Sequence, residues 1–247
     1  MDLQHLKQLV QESGNIVFFG GAGTSTESDI PDFRSANGLY QTKSRHRYPP
    51  ETMLSRDFFM RHTEEFYEFY RTRMIYQDAK PNAAHAALAA LEREGRLKAV
   101  ITQNIDGLHQ LAGSVNVLEL HGSVHRNHCM DCGAFASLDD VLAAGGGDAG
   151  AVPRCSRCGG VVKPDVVLYQ EELDRETLNR AIRHIEEADV FIVAGTSLTV
   201  YPAAGLVRYY RGNKLILINK SPTAYDGHAN YVLQESIGKV MSAFVEP

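Results

Sequence analysis

The sequence predicts an α/β fold: a parallel, doubly wound sheet covered on both faces by helices, with a cysteine ribbon and a small helical module beside it. Three observations lead there. Short β-branched runs each end abruptly in small or polar residues, helical patterns lie between them, and all four cysteines fall into two Cys-x-x-Cys pairs. A chain of 247 residues, 44% apolar and 22% charged, has room for one large domain carrying a smaller lobe. No internal repeat points to a solenoid.

The first run, residues 15–19, is followed by Gly20, Gly21, Ala22, Gly23, Thr24, Ser25 and Thr26. Glycine there lets the backbone approach a pyrophosphate, whose charge amides and a following helix N-terminus stabilise. The spacing is neither Gly-x-Gly-x-x-Gly nor a P-loop with its Lys-Ser/Thr ending, which disfavours a plain dehydrogenase or ATPase. Next, residues 54–75 hold Phe58, Phe59, Phe66, Phe69 and Tyr70, a stripe that reads as the core of a small helical subdomain. The basic run 43–47 reads as a solvated loop, the alternative being closure over an anionic cofactor.

Residues 82–94 place Ala84, Leu88 and Leu91 on one helical face, with Pro81 before and Gly95 after. The later apolar runs are residues 98–102 before Gln103-Asn104-Ile105-Asp106, and 117–120 before His121-Gly122. Two more follow, 190–194 before Gly195-Thr196-Ser197 and 214–218 before Asn219-Lys220-Ser221. Short apolar strands alternating with helices predict a parallel sheet buried on both faces, whose ligands bind beyond the carboxyl ends of the strands. The polar strand ends are therefore the candidate site.

Between the third and fourth runs lie Cys129-x-x-Cys132 and Cys155-x-x-Cys158, each followed by glycine. About twenty intervening residues fit a tetrahedral zinc ribbon. Two disulfides would suit an intracellular chain poorly, and a redox dithiol needs no second copy. Four thiolates saturate the metal, so the zinc is expected to be structural; His125 and His128 are the competing ligands nearby. The segment 134–154 carries three aspartates and one arginine, and the chain carries 25 Lys+Arg against 30 Asp+Glu, net −5, which argues against nucleic acid. The N-terminus has no basic segment followed by an apolar one, and no apolar run approaches the ~20 residues that span a bilayer. The expected compartment is the cytoplasm, with no membrane partner.

Taken together, residues 21–34, Thr102-Gln103-Asn104-Ile105-Asp106-Gly107-Leu108-His109, Leu120-His121-Gly122, the cysteine pairs, Gly195-Thr196-Ser197-Leu198 and Ile218-Asn219-Lys220-Ser221 resemble the sirtuin family of NAD-dependent protein lysine deacylases, in the style of its bacterial members. The resemblance runs over nearly the whole chain. It implies a Rossmann-like large domain (approximately 1–38, 80–122 and 168–247) and a small lobe made of a helical module (39–79) and a zinc ribbon (123–167), with NAD in the cleft between them. By the same resemblance Ala22, Thr26, Thr196, Ser197 and Asn219 contact the phosphates and adenosine part, and Ile237 lies near the adenine. Gln103, Ile105 and Asp106 hold the nicotinamide ribose and carboxamide, while Phe33 and Arg34 lie on the loop over the nicotinamide.

In the family scheme the acyl oxygen of the modified lysine attacks the ribose, nicotinamide leaves, and a ribose hydroxyl then attacks the alkylimidate, which requires a base near neutral pH. Histidine suits that task. His121, at a strand end before glycine, is the candidate, against the plain alternative that it caps the strand or packs under the ribbon; Asn104 is the second catalytic candidate, and with Asp106 it offers orienting groups, where a simple Asx turn would explain only one of them. His85 and His109 read as structural. The acyl-lysine peptide is expected as an added strand between residues 161–169 and the stretch after Ser197. Leu168-Tyr169-Gln170-Glu171 departs from the usual Phe-Gly-Glu type, which bears on loop geometry and substrate preference. The string Tyr70-x-x-Arg73 is similar to the pair that meets acidic acyl groups such as succinyl, but reads first as helix residues, leaving acetyl as the default. Mono-ADP-ribosyl transfer and a non-enzymatic zinc-ribbon adaptor sensing NAD are the alternative functions.

Overall fold

The run Ile16–Gly20 (β1) is apolar throughout and buried throughout, because it pairs on both sides: with Leu97–Thr102 (β2) on one edge and Val190–Ala194 on the other. The computed structural model describes residues 3–35, 38–40 and 47–245. The remaining strands are Val117–Glu119 (β3), Gly122–Cys129 (β4), Phe135–Ser137 (β5), Val162–Val166 (β6), Val190–Ala194 (β7), Leu215–Ile218 (β8) and Tyr231–Leu233 (β9). The main sheet is parallel, in the order β3-β2-β1-β7-β8-β9. Five of its six strands lie where the apolar runs predict them. The sixth, β9, is a half-buried edge strand of three residues, too short to show a period.

Alternate residues of the central strands enter two cores. Ile16, Phe18, Val100, Ile192 and Ile216 pack against the helices Leu3–Glu12, Ala83–Arg93 and Ile237–Val245. Val17, Phe19, Ile101, Phe191 and Leu217 pack against the helix Arg175–Glu187 and the 3-10 segment Ala203–Tyr209. Ala84, Leu88 and Leu91 are buried as their spacing predicts. That helix begins in a capping box: the Asn82 side chain accepts from the amides of Ala84 and His85, and His85 Nδ1 accepts from the Asn82 amide at 3.2 Å.

The second sheet is antiparallel, β5-β4-β6. The aromatic stripe becomes two helices, Arg56–Arg61 and Thr63–Arg73, preceded by the single turn Pro50–Met53, and Phe58, Phe59, Phe66, Phe69 and Tyr70 share one core with Cys129, Val162 and Leu168. Ribbon and helical module therefore stabilise each other by burying a common apolar face. The glycine run 145–147 follows the helix Leu138–Ala144, and Arg71 lies beside Gly145, its guanidinium donating to the carbonyls of Val141 and Ala149 on either side. Of the basic run 43–47, only Arg47 lies within the described residues, over the Tyr48 ring.

Candidate active site

Strand order reverses between β1 and β7, and at such a switch point the connections leave in opposite directions, opening a crevice at the carboxyl ends. There the chain has a cleft of about 1300 Å³, larger than the few hundred to ~1,000 Å³ of ordinary small-molecule pockets, with room for a dinucleotide and a peptide. Ala22, Thr26, Phe33, Arg34, Gln103, Asn104, Ile105, Asp106, His121, Thr196, Ser197, Asn219 and Ile237, singled out in the sequence, all line it. Their separation along the chain reaches about two hundred residues because they lie after five different strands, in the loop after Ala22–Ser28 and at the start of Ile237–Val245.

On the β1 side, Gly23 donates its amide to Gly195 O at 2.8 Å, and a Cβ built on Gly23 would stand 2.7 Å from Gly195 Cα. Only paired glycines allow the turns after β1 and β7 to touch. The short segment Ala22–Ser28 starts here, and among the described residues the Ala22 amide has no partner, which leaves it free for an anion. Thr26 Oγ1 donates to Gly23 O at 2.9 Å. Across the cleft mouth, Asn219 grips Thr196 with both ends of its amide, accepting from Thr196 N at 3.1 Å and donating to Thr196 O at 3.2 Å. Thr196 Oγ1 in turn accepts from Gln103 Nε2 at 2.9 Å. These contacts tie three strand ends into one polar rim.

The turn after β2 is organised around a residue the sequence reading did not assign, Ser25. Its hydroxyl donates to Asp106 Oδ2 at 2.7 Å and accepts from Asn104 Nδ2 at 2.9 Å. Asp106 Oδ1 accepts from Leu108 N at 2.9 Å, so the carboxylate is held at both oxygens. The only sequence signal for Ser25 was its place in the glycine turn. Glu27, also unassigned, accepts from Ser236 Oγ at 2.8 Å and from the Gly238 amide, joining that turn to the start of Ile237–Val245.

His121 Nδ1 lies 2.9 Å from Gln103 O. A carbonyl only accepts, so Nδ1 carries the proton and Nε2 is the free basic nitrogen. Burial pushes the imidazole pKa below its ordinary value, the bond to Gln103 opposing this in part, so the ring is neutral at pH 7. Two other histidines lie below the floor: His85 and His109 are fully buried with ring centroids 4.6 Å apart, and burial pulls His109 down to about 3. Both are packing residues, as their sequence positions led one to expect.

The four cysteine sulfurs lie within 4.8 Å of one another, with Cys129–Cys158 at 3.5 Å and Cys132–Cys155 at 3.7 Å. A tetrahedron of Zn–S bonds of ~2.3 Å spaces its sulfurs about 3.8 Å apart, whereas a disulfide needs ~2.05 Å. The donor set fits zinc. Gly133 and Gly159 take positive φ, 69° and 77°, which lets each knuckle fold back on its first cysteine. Arg157 N then donates to Cys155 Sγ at 3.4 Å, a bond that heads the causes lowering that thiol to about 7. His125 donates instead to Asp106 O at 3.1 Å, and His128 packs on Phe135, so neither competes.

On the opposite wall, the edge of β6 is partly occupied: Tyr67 donates to Val162 O, and Lys163 Nζ to the carbonyls of Pro164 and Val166. Beyond Val166 the amides of Val167, Leu168 and Tyr169 are also taken, by His121 O, Glu171 Oε2 and Leu54 O. Tyr70 is 0% exposed inside the small-lobe core, and only Arg73 of the Tyr-x-x-Arg string lines the cleft.

A model of the Sir2 family matches residues 21–202. The chain is 61% identical over 243 residues to the NAD-dependent protein deacetylase of Clostridium acetobutylicum, covering 98% of each chain. It is 60% identical over 243 residues to the NAD-dependent protein deacetylase of Clostridium tetani, covering 98% of this chain and 97% of that one. A solved Sir2 structure with a deacetylated peptide and 3′-O-acetyl ADP-ribose aligns with a TM-score of 0.88 at 38% identity, covering 98% of this chain and 97% of the other. The match takes in the glycine turn, the Gln103–Asp106 turn, His121 and all four cysteines, and the chain belongs to the Sir2 family.

Proposed function

We infer that this chain is an NAD-dependent protein lysine deacetylase, which transfers the acetyl group of an acetyl-lysine peptide to ADP-ribose and releases nicotinamide. The observation that carries the chemistry is the Nδ1 bond of His121 to Gln103 O, which leaves Nε2 unprotonated and in the cleft. Bound NAD supplies the scissile glycosidic bond and the ribose hydroxyls that accept the acyl group.

In this reading the amides of the Ala22 turn and the side chains of Thr26, Thr196, Ser197 and Asn219 bind the phosphates and adenosine part, with Ile237 beside the adenine. Gln103, Ile105 and Asp106 orient the nicotinamide ribose, and Ser25 keeps Asp106 and Asn104 in place. Phe33 and Arg34 exclude water above the nicotinamide. His121 Nε2 takes a proton from a ribose hydroxyl, for which a neutral imidazole is required. The four cysteines hold one structural zinc remote from this chemistry. The large domain spans approximately residues 1–38, 80–122 and 168–247, and the small lobe approximately 39–79 and 123–167. Acetyl is the preferred acyl group because Tyr70, the partner an acidic acyl chain would need, is enclosed in the core.

The cytoplasm is the proposed compartment, on the strength of four thiols spaced for a metal instead of paired as disulfides. No helix among the described residues is long and apolar enough to cross a membrane.

Mass spectrometry of the products formed from NAD and an acetyl-lysine peptide tests the reaction. Equal amounts of nicotinamide, deacetylated peptide and O-acetyl-ADP-ribose are expected. ADP-ribose attached to protein, with the acetyl group retained, would make the chain a mono-ADP-ribosyltransferase instead.

A further inference from the structure

The turn Leu168–Glu171 is pinned on every side. Tyr169 N donates to Leu54 O at 3.0 Å, and Tyr169 O accepts from Arg56 N at 3.0 Å. Glu171 Oε2 accepts from Leu168 N at 2.9 Å and from Lys163 Nζ at 3.0 Å. Gln170 takes a left-handed φ of 77°, and its amide straddles Asp57 at the start of the helix Arg56–Arg61, accepting from Asp57 N at 3.0 Å and donating to Asp57 Oδ2 at 3.2 Å. Tyr169 therefore projects from a fixed base. Its hydroxyl lies 2.9 Å from that of Tyr40.

Tyr40 belongs to the other wall. Its amide donates to Phe33 O at 2.9 Å, Leu39 N donates to Asp32 O at 2.8 Å, its ring meets Phe33 edge-on at 5.6 Å, and the Arg34 guanidinium lies 5.4 Å above it. Tyr40 is thus linked to Phe33 by a backbone bond and a ring contact, and to Arg34 by its ring face. Burial and the bond to Tyr169 raise the Tyr40 phenol above its ordinary pKa, so its hydroxyl stays protonated over the working range.

We propose that the Tyr40–Tyr169 hydroxyl pair is a positioning contact that couples the two substrate sites, so that a peptide seated against the Tyr169 turn favours the placement of Phe33 and Arg34 over the dinucleotide. The proposal rests on the deacetylase reading of the cleft. Because the sites share this contact, the coupling is reciprocal: each ligand tightens the other by the same factor. One hydrogen bond between partly exposed hydroxyls sets the scale, about two- to tenfold.

Calorimetric titration of an acetyl-lysine peptide with and without saturating ADP-ribose, which does not turn over, measures that factor. Wild type is compared with Tyr40→Phe, Tyr169→Phe and the double variant, each keeping its ring and so its packing; equal melting temperatures check this. Both single variants are expected to bring the coupling factor down toward one, and the double variant to lower it no further, since one bond is lost only once. Coupling undiminished in either single variant, losses that add in the double, or a wild type that binds both ligands without coupling overturns the contact's role while the deacetylase reading stands. A wild type that binds neither ligand overturns that reading, and this inference with it.

Discussion

The imidazole of His121 is fixed by the backbone of Gln103, a residue whose side chain reaches across to Thr196 on another strand end. The nitrogen that would act on substrate is thus oriented by a main-chain carbonyl 18 positions earlier, at the end of the neighbouring strand. That arrangement selects one tautomer without adding a negative charge, and it determines how the site responds to substitution and to pH.

His121→Ala removes the base but leaves the Gly23–Gly195 contact and the cysteine cluster intact. Deacetylated peptide should form about 10²- to 10⁴-fold more slowly, the usual contribution of a positioned base. Zinc content and melting temperature should stay near wild type. Chromatographic quantitation of nicotinamide and deacetylated peptide checks this, and a variant within threefold of wild type would remove His121 from the mechanism.

The pH–rate profile follows from the same environment. Burial lowers the His121 pKa, and the base acts in its neutral form, so turnover is full where the ring is neutral and falls as acid protonates it. The acid limb of kcat/KM should therefore lie below the ~6.5 of a free histidine. An acid limb above 7 would contradict the desolvated ring.

His109 makes the fold acid-sensitive. It has a folded pKa of about 3 against an unfolded value of 6.5, so below pH 6.5 the unfolded chain binds a proton that the folded chain does not. Stability is complete above 6.5 and declines by up to about 1.4 kcal/mol per pH unit from this group as pH falls toward 3. His109→Phe keeps a ring beside Phe18 and His85 and removes this titration. Urea unfolding at pH 7 and pH 5 should show a smaller loss for the variant; equal losses would reject the assignment.

Metal analysis should find one zinc per chain. Chelation should unfold the ribbon and loosen the helical module, because Cys129 and Cys155 belong to the core shared by Phe59, Phe66 and Tyr70. Proteolysis after chelation should cut first within residues 123–167, while the main sheet, whose cores contain no cysteine, stays protected.

Gln170→Gly trades one effect for another. Glycine removes the left-handed strain of ~1–2 kcal/mol, but the Asp57 clamp goes with it, worth about 1 kcal/mol. Stability should change by less than about 1 kcal/mol, measured as the urea midpoint. A loss above about 3 kcal/mol would mean that the clamp holds far more of the turn than these two bonds.

Much of this molecule was legible along the chain because the signals are local. A buried strand reads as an unbroken apolar run, a helix as a 3.6-residue period with Pro81 ahead and Gly95 behind, and a metal site as two short cysteine spacings. The polar residues after each strand had to meet, since parallel strands bring all their carboxyl ends to one edge of the sheet. For the same reason the residues named from sequence line a single cleft.

Other features left no trace in one dimension. β9 is a three-residue edge strand given its place by its register with β8. Ser25 bridges Asp106 and Asn104 across 81 and 79 positions, Tyr40 meets Tyr169 across 129, and Glu27 meets Ser236 across 209. A hydrogen bond spanning such a loop has no period and no spacing. It exists because packing of two helix-covered faces and a metal-bound ribbon brings its ends within 3 Å, and the composition of either end does not announce the other. Element types and metal chemistry are thus written in neighbouring residues, whereas the tautomer of His121, the enclosure of Tyr70 and the joining of the two cleft walls arise from long-range packing.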